Sequence, residues 1–111
     1  MKKAAYVLVA GVLLTALPAL GAEPGEAVFK SLGCMGCHKP AGKSKTTPSL
    51  VDIASAYAGK KEQLIDYLIG QRGPIIRPER AGMMNSKIQK TAALADADRA
   101  ALADFILSYK P

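Results

Sequence analysis

The 111-residue chain has no tryptophan, a single histidine (His38) and two cysteines, Cys34 and Cys37. Two cysteines cannot make the disulfide framework that staples small secreted folds. One histidine excludes coordination of a metal by two histidines of this chain, and with two cysteines it leaves too few ligands for a structural zinc site. No segment alternates polar and apolar residues as a half-buried strand does, so a Cys-x-x-Cys redox pair of the thioredoxin type lacks the strands that should flank it. No internal repeat or low-complexity tract is present. Aromatic residues are only 5% of the chain. Lys and Arg number 15 against 9 Asp and Glu, but they are scattered and form no basic stripe, which argues against nucleic-acid binding.

The amino terminus reads Met1-Lys2-Lys3, an apolar run from Ala4 to Leu17, then Pro18 and the small residues Ala19, Gly21 and Ala22. Basic, apolar and small residues in that order are expected to be a cleaved secretory signal over residues 1–22, with the mature chain starting at Ala22 or Glu23. The alternative is an uncleaved anchor facing the periplasm, because Ala4 to Ala22 approaches the length of a membrane span. Cleavage leaves a domain of residues 23–111 with no membrane span and a formal charge of about +4, suited to an acidic protein partner. So short a domain has a thin core, for which a structural cofactor is physically reasonable.

Apolar spacing predicts helices over Pro24–Leu32, Ser49–Tyr57 and Lys61–Ile69, with Gly33, Gly59 and Gly70 as stops. A last helix is expected from Asp96, as its cap, to about Tyr109. From Gln71 to Ala93 the period fails and Gly73, Pro74, Pro78 and Gly82 predict a long ordered loop with a helical turn near Ser86–Lys90. The fold class is therefore all-α.

Cys34-x-x-Cys37-His38 is the attachment pattern for c-type haem. Each thiol adds across a haem vinyl group, two intervening residues set the thiols at the vinyl separation, and the adjacent histidine is delivered to the iron as proximal ligand. One covalent haem c with its iron is expected per chain. With no second histidine, methionine is the natural sixth ligand. Met1 belongs to the signal and Met35 lies within the motif, which leaves Met83 and Met84.

Over Gly25 to Lys110 the chain resembles the class I monohaem cytochromes c, especially the small soluble bacterial ones. The resemblance is carried by Val28-Phe29, Gly33-Cys34-Met35-Gly36-Cys37-His38, Thr47-Pro48-Ser49-Leu50, the methionine loop, and Leu94-Ala95-Asp96-Ala97-Asp98 leading into Leu102-Ala103-Asp104-Phe105-Ile106-Leu107. It implies four to five short helices around the haem, with the first and last crossing, so that Phe29 packs near Leu102, Phe105 and Ile106 and Gly25 or Ala27 permits close approach. It further implies that the Pro48 carbonyl accepts the ring hydrogen of His38, and that Met84 rather than Met83 is the axial ligand. The loop departs from the family pattern in having no proline after Met84, which leaves Asn85 as the nearest amide to the sulfur. In place of the tryptophan that some relatives use near a haem propionate stand Tyr57, Tyr67, Arg72 or Arg77.

The function so implied is one-electron transport in a periplasmic respiratory or related chain, by a monomeric, non-enzymatic carrier with His/Met ligation. Redox donors and acceptors are its partners, guided by Lys30, Lys39, Lys43, Lys45, Lys60 and Lys61. Two other readings are a haem with an open iron that binds a gas or peroxide, and a subunit held permanently in a larger complex.

Overall fold

The computed structural model describes residues 24–42 and 47–109. The signal sequence expected over residues 1–22, and Lys43 and Lys45, lie outside them. The described residues form five helices and no strand: α1 (Pro24–Ser31), α2 (Leu50–Ala56), α3 (Lys61–Ile69), α4 (Asn85–Ala92) and α5 (Asp96–Leu107). Short 3-10 turns cover Cys34–Gly36 and Pro78–Met84. No helix among the described residues is long and apolar enough to cross a membrane.

The frame is the crossing of α1 and α5, the most extensive helix contact in the fold. Pro24 opens α1 at the position where a missing N–H costs nothing. One residue later Gly25 is buried against α5. A Cβ on it would stand 2.0 Å from the Ala101 carbonyl oxygen and 2.7 Å from Phe105 Cβ. Gly25 therefore supplies the close approach, whereas Ala27 is exposed. One turn on, Phe29 meets Phe105 with ring centroids 5.4 Å apart, and Phe105 meets Tyr109 edge-on at 5.3 Å, both within the favourable range for aromatic pairs. Leu102, Ala103 and Ile106 complete the buried face of α5.

Gly33 stops α1 with φ 76°, a conformation that only glycine adopts freely. The chain then turns around the Cys34 carbonyl, which accepts from Cys37 N at 3.2 Å and His38 N at 3.0 Å. The start of α2 clamps the chain on either side of it. Ser49 and Asp52 form a reciprocal capping box, with Ser49 Oγ accepting from Asp52 N at 3.1 Å and Asp52 Oδ2 from Ser49 N at 3.2 Å. Two further amides of the first turn, Leu50 N and Val51 N, donate to the carbonyls of Lys39 and Pro40 at 2.8 and 3.1 Å. Donors that a helix start leaves unused thus hold the segment after His38 in place.

Two elements depart from expectation. The segment before α5 is more helical than its sequence period predicts: a 3-10 stretch runs directly into the eight-residue α4. The period is hidden because Lys87, Ile88 and Thr91 make the inward side of α4 and only Ile88 of them is apolar, while Gln89 and Lys90 are exposed. Asp96 does not cap α5 either. Ala95 stands at the cap without a side-chain bond, and Asp96, in the first turn, turns its carboxylate to Arg99 Nη1 at 2.9 Å. The helix also ends at Leu107, two residues short of Tyr109.

Candidate haem site

Between the Cys34–His38 turn and the segment from Pro74 to Thr91 lies a cleft with ≈ 1040 Å³ of space free of protein atoms, its open mouth included. Its floor is the core itself: Phe29, Leu64, Leu68, Leu102 and Ile106. Cys34, Cys37 and His38 line one side; Met83 and Met84 line it from the other segment.

His38 Nδ1 donates to the Pro48 carbonyl at 2.9 Å. A carbonyl can only accept, so this bond places the hydrogen on Nδ1 and leaves the Nε2 lone pair available to a metal. The two cysteines form no disulfide with each other; Cys34 is buried and Cys37 exposed. Burial pushes the Cys34 thiol up and the nearby Lys87 ammonium draws it partly back. Of the two methionines, Met83 is 64% exposed, whereas Met84 is partly buried at the joint between the 3-10 stretch and α4. Asn85 is exposed and does not line the cleft.

Tyr57 and Tyr67 also line the cleft. The Tyr57 hydroxyl accepts from Ile75 N at 3.2 Å, and burial raises its pKa against the effect of that bond and of Arg72. Burial, with a smaller effect from Tyr57, pushes Tyr67 up to about 12. Both phenols are therefore neutral near pH 7. Arg72 does not line the cleft and lies 3.9 Å from Asp66.

Arg77 does line it, in a costly way. Among the described residues it is the one non-glycine with a left-handed backbone, φ 50°, a conformation costing about 1–2 kcal/mol. Its Nη1 is buried with no hydrogen-bond partner. A buried guanidinium N–H without an acceptor, beside an apolar cleft, calls for an acceptor, and an anionic one suits its charge. A flat, largely apolar group with carboxylates at its edge meets both requirements, and haem c is such a group.

Sequence reasoning did not single out Arg80 or Lys87, which line the cleft as well. Lys87 Nζ donates to the Leu32 carbonyl at 2.7 Å, just before the attachment turn. Its signal in the sequence was its place one helical turn after Met84. Among the lysines expected to guide a partner, Lys30 pairs with Glu26 at 3.1 Å and Lys61 with Asp104 at 2.8 Å, while Lys39 and Lys60 are exposed.

A sequence model of the family described as cytochrome c matches residues 22–110. The chain is also 36% identical over 85 residues to a protein named cytochrome c-552 from Hydrogenobacter thermophilus, an alignment covering 77% of this chain and 81% of that one. With those matches, the chain belongs to the cytochrome c family, as a class I monohaem member of all-α fold that binds haem c covalently and carries electrons between redox partners.

Proposed function

We propose that the chain is an exported one-electron carrier whose haem iron is held between His38 and Met84, with Cys34 and Cys37 as the thioether links. The observation that carries this reading is the His38–Pro48 bond: it commits one ring nitrogen and leaves the other for the cleft that Met84 also lines. Partial burial of Met84, against the exposure of Met83, favours Met84 as the thioether ligand. Haem c supplies a reversible Fe(III)/Fe(II) couple.

The protein contributes the surroundings of that couple. Pro48 fixes the tautomer and orientation of His38, raising its basicity as a ligand. The apolar floor excludes water from the cofactor, which limits solvent rearrangement when the charge changes. Arg77, whose Nη1 is buried at the cleft without a partner, would hold a carboxylate of the group. With His38 and Met84 both holding the iron, the chain would leave no open site for a substrate, which is the basis for reading a carrier rather than an enzyme.

Residues 1–22 are read as a signal cleaved on export to the periplasm, and residues 23–111 as a monomeric cytochrome domain; retention of the signal as an anchor is the alternative placement. The basic balance of the mature chain, with exposed Lys39 beside the attachment turn and exposed Arg80 at the cleft, supports an acidic docking partner.

The test is a redox titration of the purified mature protein with carbon monoxide as a probe of the reduced iron. A reversible one-electron wave and no carbon monoxide adduct are expected. Ready binding of carbon monoxide contradicts the filled sixth site, and an amino terminus other than Ala22 or Glu23 contradicts the cleavage.

A further inference from the structure

Met84 leads directly into α4, so the seating of that helix decides where the Met84 side chain arrives. Apolar packing does little to fix it, since Ile88 is the one hydrophobic residue of α4 packed against the described core. Two buried polar residues fix its far end instead. Thr91, 1% exposed, donates from Oγ1 to the Leu68 carbonyl of α3 at 2.6 Å, with the Ile88 carbonyl at 3.1 Å. Arg99, 6% exposed, reaches back from the first turn of α5. Its Nε donates to the Thr91 carbonyl at 3.0 Å, and its Nη2 to the carbonyls of Ala92 at 2.8 Å and Leu94 at 2.5 Å.

The last carbonyls of a helix have no partner within it. Here Arg99 answers those at the end of α4, and Thr91 answers one in the last turn of α3. The bonds to Arg99 are charge-assisted, and its cation sits at the negative end of the α4 dipole. Such bonds are directional, so they fix the rotation and axial position of α4 more sharply than apolar contact alone. From Thr91 back to Met84 is about 10 Å of regular helix, short enough to move as a rigid rod.

We propose that Arg99 and Thr91 are positioning residues for the sixth iron ligand: they lock α4 so that Met84 stays in the cleft, and they set how readily an outside ligand displaces it. This rests on the His38/Met84 reading above.

The test is a titration of the oxidised holoprotein with imidazole, followed by loss of the weak red absorption that an iron–thioether bond produces. Arg99→Gln raises imidazole affinity about tenfold, equivalent to about 1.4 kcal/mol, and Thr91→Val raises it by a smaller factor. Arg99→Lys, which keeps the charge but not the fork of donors, falls between Arg99→Gln and the parent and serves if Arg99→Gln does not fold. Ala54→Gly, a cavity in α2 away from α4, lowers the melting temperature and leaves imidazole affinity unchanged. The proposal is overturned if the Arg99 and Thr91 variants melt earlier yet bind imidazole as the parent does, or if Ala54→Gly raises the affinity equally. A parent protein without the red absorption overturns the Met84 reading itself, and that result is distinct from both.

Discussion

Gly25→Ala separates two effects of opposite sign. In an isolated helix the change stabilises by about 1 kcal/mol, because alanine is the better helix former. In this fold the new Cβ stands 2.0 Å from a backbone oxygen of α5, and reaching ordinary contact at 3.4 Å requires the helices to part by about 1.4 Å. The obstacle is main chain, which no rotamer change relieves. Parting also loosens the Phe29–Phe105 contact one turn away. Overpacking of this kind costs about 1–3 kcal/mol, and a backbone collision belongs at the upper end. The net loss is then about 2 kcal/mol, or about 8–16 °C in Tm for a domain of this size. Thermal and denaturant melts of the holoprotein measure it, with Ala27→Gly as the exposed control, expected to lose only about 1 kcal/mol of helix propensity. A Gly25→Ala protein as stable as its parent would refute the crossing.

Ser49→Ala removes one half of the capping box and is expected to cost about 1 kcal/mol, read by denaturant melts; an unchanged midpoint contradicts the capping box at the start of α2. Tyr67 has its pKa raised from 10.0 to about 12, so the folded state keeps a proton that the unfolded state releases. Stability should therefore be undiminished by this group below about pH 10 and fall between about pH 10 and 12. Tyr67→Phe should flatten that decline in melts across the same window. Arg77→Gln removes a positive charge beside the cofactor that favours Fe(II), so the reduction potential should fall; a rise measured by electrochemistry contradicts the placement of Arg77.

Much of the fold is legible from helix-spaced apolar residues and glycine stops. α1, α3 and most of α5 follow that pattern because each buries a broad apolar stripe, such as Leu102, Phe105 and Ile106. α4 is not legible in that way, since its seat is made by a threonine hydroxyl and by an arginine from another helix. Hydrophobic periodicity carries no trace of such bonds. Buried arginine is rare without partners, so Arg99 reads in the sequence as an ordinary surface residue of a helix start. At the site, the motif names Cys34, Cys37 and His38 because attachment chemistry dictates their spacing. Arg77 could be named only among four candidates, because its distinction is a left-handed backbone and an unpaired nitrogen, neither of which is written in residue type. Lys87 went unnamed because its partner is a backbone carbonyl 55 positions away.

The central claim, that iron in this chain is held by His38 and Met84, is tested most directly by the red iron–sulfur absorption of the oxidised holoprotein in Met83→Ala and Met84→Ala. The account predicts that the absorption persists in Met83→Ala and disappears in Met84→Ala, with covalent haem retained in both. Loss in Met83→Ala with persistence in Met84→Ala, or absence of the absorption from the parent, would contradict it.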